Sequence, residues 1–141
     1  NGDTFKAGTA DYRHGAADAI FKWRGLSLQS EVLFRRASET VLERVQSDGT
    51  LLQEYPRSAW GFMAQAGYLI SGTLEPVVRY GEVRPLNASK VARDREIGGG
   101  LSYYFHKHDL KIQGDYFRLL TDEPAGVVGR DRVRVQVQVY F

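Results

Sequence analysis

The chain has 141 residues, 43% of them hydrophobic and 26% charged, with a mean hydropathy of −0.38, which is one domain's worth of chain, residues 1–141. No run approaches the 18 or so consecutive apolar residues of a spanning helix, and the absence of Cys excludes a disulfide scaffold and a thiolate metal site. Nineteen Lys and Arg against seventeen Asp and Glu leave a net charge of +2, too small and too mixed for a nucleic-acid surface.

What the averages hide is alternation, the mark of a strand between two different environments. A weak first strand sets Phe5, Ala7 and Thr9 against Lys6, Gly8 and Ala10. After a brief connection at 13–15, Ala17, Ala19, Phe21 and Trp23 alternate with Asp18, Ile20 and Lys22. A tight turn at 24–25 leads to Leu26, Leu28, Ser30, Val32 and Phe34 against Ser27, Gln29, Glu31, Leu33 and Arg35. The long connection 37–58 follows, with an amphipathic stretch at 40–45 that suits a short helix, although a solvated surface loop suits it better. Next, Trp60, Phe62, Ala64, Ala66, Tyr68 and Ile70 oppose Gly61, Met63, Gln65, Gly67 and Leu69. Past a turn at 71–73, Leu74, Pro76, Val78 and Tyr80 oppose Glu75, Val77 and Arg79; Pro76 lacks a ladder donor and is tolerable near the start of its strand, with a bulge as one way to seat it. A long connection, 83–94, precedes Ile97, Gly99, Leu101, Tyr103 and Phe105 against Glu96, Gly98, Gly100, Ser102 and Tyr104. The turn 106–109 leads to Leu110, Ile112, Gly114 and Tyr116 against Lys111, Gln113 and Asp115. After the long connection 120–131, Val133, Val135, Val137, Val139 and Phe141 close the chain against Arg132, Arg134, Gln136, Gln138 and Tyr140.

None of the apolar-face positions is charged, in a chain that is 26% charged. Soluble and outer-membrane barrels both alternate, so the question is which face points outward. Short turns largely alternate with long connections, the asymmetry of outer-membrane barrels with short periplasmic turns and long extracellular loops. The aromatic residues Trp23, Trp60, Tyr68, Tyr80, Tyr103, Phe105 and Tyr116 stand toward strand ends on the apolar face, as interfacial girdles do. About ten residues at roughly 3.3 Å, tilted near 40°, rise close to a 25 Å apolar band. The reading is an all-β, antiparallel transmembrane barrel with eight strands in this chain. Its inward face carries Glu31, Arg35, Glu75, Arg79, Glu96, Lys111, Asp115, Arg132 and Arg134. If eight strands close alone, the acidic members pair with Arg79, Lys111, Arg134 and Arg35 and plug the interior.

The segments KWRGLSLQSEVLFRR (22–36), YLISGTLEPVVRYGEV (68–83), GGGLSYYFHKHDLKIQGDYFRL (98–119) and RVRVQVQVYF (132–141) resemble the C-terminal half of the phosphate-selective porin O and P family. The terminal Phe141, with Val139, Val137 and Val135, is similar to the C-terminal signal read by the outer-membrane assembly machinery. The resemblance implies a bacterial outer-membrane location, contact with outer-membrane lipid, and passage of small solutes. Family members are about twice as long, so it also implies a missing barrel half or an oligomer beside the alternative of eight strands closing alone. Inward basic residues outnumber acidic ones by only two when Lys6, Lys22 and Asp18 are included, so phosphate specificity is not carried over.

Other chemistry is weaker. His106, His108 and Asp109 share a tight turn in which alternate side chains point apart, His14 near Asp11 has no serine placed as a nucleophile, and the glycines at 98–100 have no helix behind them to cradle a phosphate. Close packing or a strand bend accounts for those glycines. The expectation is therefore a non-enzymatic protein without metal or cofactor: a porin-like barrel for passive diffusion of small solutes, with a lean toward anions. The alternative is a closed structural or interaction barrel with a salt-bridged interior and partner-binding external loops.

Overall fold

The computed structural model describes residues 2–86, 92–105 and 110–139, with side-chain surroundings from Phe5 onward. Among them every regular element is a strand. β1 (Gly2–Phe5), β2 (Gly8–Trp23), β3 (Leu26–Ala37), β6 (Ala59–Tyr68), β7 (Leu74–Pro85), β8 (Arg93–Phe105), β9 (Leu110–Glu123) and β10 (Gly126–Val139) form one antiparallel sheet in the order β1-β2-β3-β6-β7-β8-β9-β10. β4 (Leu42–Val45) and β5 (Leu51–Glu54) form a separate two-stranded hairpin. Each long strand pairs with its neighbour in sequence, so the sheet is a meander in which β2, β6, β8 and β10 descend and β3, β7 and β9 ascend.

Two tight turns among the described residues stand on the lower rim. Arg24 and Gly25 both take positive φ, 46° and 88°, the conformation that lets a two-residue hairpin follow the twist of its strands. A Cβ on Gly25 would meet the Leu69 carbonyl at 2.8 Å, so glycine is required there twice over. Ser71 and Gly72 close the next lower turn with φ of 50° and 71°. Pro76 needs no bulge: the β6–β7 ladder ends at Gly67 and Val77, one residue short of it.

Four expected boundaries are corrected. The break at 13–15 is absent, because His14 and Gly15 pair with Arg35 and Phe34 in mid-ladder; the first turn is at Lys6 and Ala7 instead, leaving β1 a four-residue stub. Residues 120–131 are not a long loop but the upper halves of β9 and β10, joined by Pro124 and Ala125. The 83–94 connection shrinks, since β7 runs to Pro85 and β8 starts at Arg93. The stretch at 40–45 enters β4 rather than a helix. The upper rim therefore has two longer connections, 38–58 and 86–92, and two tight ones.

The two faces of the long strands differ in exposure. On the polar face Ser102, Asp115 and Phe117 are buried, while on the apolar face Val133, Val135 and Val137 are 73%, 72% and 61% exposed. Side chains on the polar face also reach across an intervening strand, as Arg132 on β10 does to Glu96 on β8 at 3.1 Å. Both observations place the polar face on the inside of the sheet's curl. Among the described residues no strand pairs with the outer edge of β10 or with residues 12–23 along the β1 side of β2.

Candidate functional site

Register builds the centre of the polar face. Arg79, Gly98, Phe117 and Arg132 lie in one row across β7, β8, β9 and β10. Gly98 leaves the gap that the Phe117 ring fills: a Cβ there would collide with the Tyr116 carbonyl and the ring itself. With the gap filled, the guanidinium of Arg79 lies 5.2 Å from the Phe117 ring centre and that of Arg132 lies 5.0 Å away. Glu96, from the adjacent row, bridges them, accepting from Arg79 Nη1 at 3.4 Å and Arg132 Nη2 at 3.1 Å. Two cations thus share one carboxylate and one ring. The glycine run is close packing, as expected; Phe117, on the face assigned to charges, was missed. The signal available was its place two residues beyond Asp115, in the same phase.

The next row down holds Val77, Gly100, Asp115 and Arg134. Arg134 donates to Asp115 Oδ2 from Nε at 2.9 Å, and the pair is half-exposed on the arginine side but only 4% exposed at the carboxylate. Below it Glu75 accepts from the Tyr104 hydroxyl at 2.5 Å, and Lys111 stands 5.2 Å from the Tyr104 ring. Glu75, Lys111, Asp115 and Arg134 line a polar cavity of about 260 Å³ with Gln65, Ser102 and Gln113. Of the expected pairings, Glu96 with Arg79 and Asp115 with Arg134 form. Glu75 takes the tyrosine instead of a cation. Arg35 lies over the Tyr12 ring at 3.8 Å, and Glu31 stands opposite Asp18 and Met63, both away from this cluster.

The apolar face carries the seven girdle candidates. Trp23, Tyr68, Tyr103 and Phe105 end their strands at or near the lower rim, and Tyr103 meets Phe105 edge-on at 4.5 Å. Trp60 stacks on Phe62 at 5.8 Å, and Phe62 contacts Tyr80 at 5.6 Å, nearer the upper rim; Tyr116 donates to Asp131 at 2.7 Å. Beyond these aromatics the same face becomes charged, a change invisible while the strands were taken to stop at Tyr80, Ile97, Tyr116 and Val133. Arg84 and Arg93 both donate to Glu82 Oε1, at 2.5 and 2.6 Å, Arg95 holds Asp122 at 2.5 Å, and Arg118 holds Asp131 at 2.6 Å. Glu82 is buried under its arginines.

The line between apolar and charged slants across the sheet. The first charged position above the apolar stripe is Arg13 on β2 and Asp131 on β10. Following the register from Asp131 through Arg118, Ile97, Tyr80, Ala64 and Ser30 arrives at Ala19, six residues below Arg13 after six strand-to-strand steps. Val135, Val137 and Val139 continue the stripe down β10; Phe141 and the 106–109 turn with its two histidines lie outside the described residues. His14 and Asp11 fall on opposite faces of β2 by alternation.

Comparison with known proteins finds no matching family model, no matching curated protein and no matching solved structure.

Proposed function

We propose that the sheet is part of the wall of a bacterial outer-membrane β-barrel that passes small solutes, anions among them, along its polar face. The slant of the charge boundary carries this reading. A shift of one residue per strand is about 3.3 Å along the strand for every 4.8 Å across the sheet, the trace of a level plane on strands tilted roughly 35°. Spanning barrels tilt by that amount, and a membrane surface is such a plane. The exposed Val, Leu and Ile stripe, the aromatics toward its ends and the resemblance to the porin O and P family support the same reading. So does the valine alternation before Phe141, similar to an assembly signal.

Planar-bilayer recording tests it. Open-channel steps are expected, and replacing Arg79, Lys111 and Arg134 by Glu should move reversal potentials toward cation selectivity. Folded protein without conductance steps would refute the channel. The shared carboxylate of Glu96 and the buried Asp115–Arg134 pair favour one second reading, a structural barrel with a salt-bridged interior, which predicts exactly that silence.

A further inference from the structure

Most arginines above the apolar stripe are neutralised by a carboxylate; one pair is not. Arg13 on β2 and Arg36 on β3 are direct cross-strand partners on the apolar face, and both are exposed. Among the described residues neither guanidinium has an ion pair or a hydrogen bond, in contrast to Arg84, Arg93, Arg95 and Arg118. Like charges held directly opposite one another oppose strand pairing, yet the ladder continues past them: Ser38 N–H donates to the Asp11 carbonyl at 2.8 Å and Asp11 N–H to Ser38 Oγ at 3.1 Å. The two guanidinium groups open on a cavity of about 480 Å³ lined by Asp11, Arg13, Arg36, Ala37 and Ser38. One carboxylate faces two cations there, so the cavity is short of negative charge.

We propose that Arg13 and Arg36 clamp the phosphate of a phosphomonoester lipid headgroup in the leaflet at the upper rim; this rests on the membrane reading above. The pair stands one alternation beyond Phe34 and Gly15, the height at which headgroups meet an apolar band. Guanidinium forks match phosphate oxygens in pairs. A phosphomonoester carries close to two negative charges at neutral pH and so answers both arginines, whereas a phosphodiester answers one.

The test uses the full chain in vesicles of phosphatidylcholine with and without phosphatidic acid, with lipids retained on the protein counted by native mass spectrometry. Phosphatidic acid should be enriched on the wild type, and R13Q/R36Q should lose about thirtyfold of that preference, roughly fivefold per arginine, while R13K/R36K keeps part of it. Raising salt to 1 M, where screening acts within about 3 Å, should suppress the enrichment in the wild type, which covers the case in which R13Q/R36Q does not fold. Enrichment unchanged by both the variant and salt would overturn the clamp. Protein that inserts into both vesicles with no lipid preference overturns the clamp alone; protein that stays in the aqueous phase with both overturns the membrane reading as well.

Discussion

Asp115 is 8% exposed, and the two ends of its ion pair are unequal in a way that single substitutions should reveal. Its Oδ2 takes Arg134, while Oδ1 is buried and has no donor among the described residues. Removing the cation by R134Q leaves a buried carboxylate uncompensated, which costs on the order of 3 kcal/mol. Asp115→Asn keeps the shape and an acceptor and removes the buried charge, and the half-exposed Arg134 returns to water, so it should cost less than half as much. Urea midpoints for both variants in one detergent check this, and equal losses would count against the asymmetry. Sequence reading found Asp115, Arg134, Arg79 and Glu96 because charge recurs in one phase. It missed Phe117 because the phase it shares with Asp115 was read as a face for charges, and the ring's role emerges only when the register sets Gly98 beside it.

Strand cores were legible and strand ends were not, for one physical reason. The alternation expected of β9 and β10 is apolar against polar, but above Tyr116 and Val133 the apolar face turns to Arg118, Asp122 and Asp131, so the hydrophobic period ends where the strand does not. The β4–β5 hairpin was hidden differently: Leu42 and Val45 are three apart and imitate a helical turn, although Asp48-Gly49 ahead of Leu51 is a recognised hairpin signal. The hairpin folds back on the β1–β2 turn, where Glu54 accepts from Ala7 N–H at 2.6 Å and Arg44 donates to the Lys6 carbonyl at 3.2 Å. At its tip Asp48 Oδ1 accepts from the Thr50 hydroxyl at 2.6 Å and the Thr50 amide at 2.9 Å. These bonds, the hydroxyl first, hold the Asp48 carboxyl below its ordinary value. Because the folded value is the lower one, the tip's stabilisation is complete above the ordinary carboxylate value near 3.8 and is lost as pH falls through the depressed one. Thr50→Ala should raise the Asp48 midpoint in an NMR titration, and an unmoved midpoint would dismiss the hydroxyl as its cause.

The whole chain exposes 10,079 Å², against about 7,400 Å² expected of a folded soluble monomer of its 15.9 kDa. Much of the excess is apolar: Phe21, Trp23, Val78, Ile97 and, on β10, Val133, Val135, Val137 and Val139 are each more than half exposed. A continuous apolar surface of this kind needs a cover. The protein should be monodisperse in detergent and associate without it in sizing chromatography coupled to light scattering; a single species in plain buffer would defeat the membrane reading. β2 and β10 descend alike, so joining them directly would make the sole parallel seam in an otherwise antiparallel wall. A wholly antiparallel cylinder needs an odd number of strands between them, the one beside β2 ascending as β1 does against Gly8–Asp11. Any such cylinder built on this sheet has an even strand total, and its two seams are residues 12–23 and 126–139.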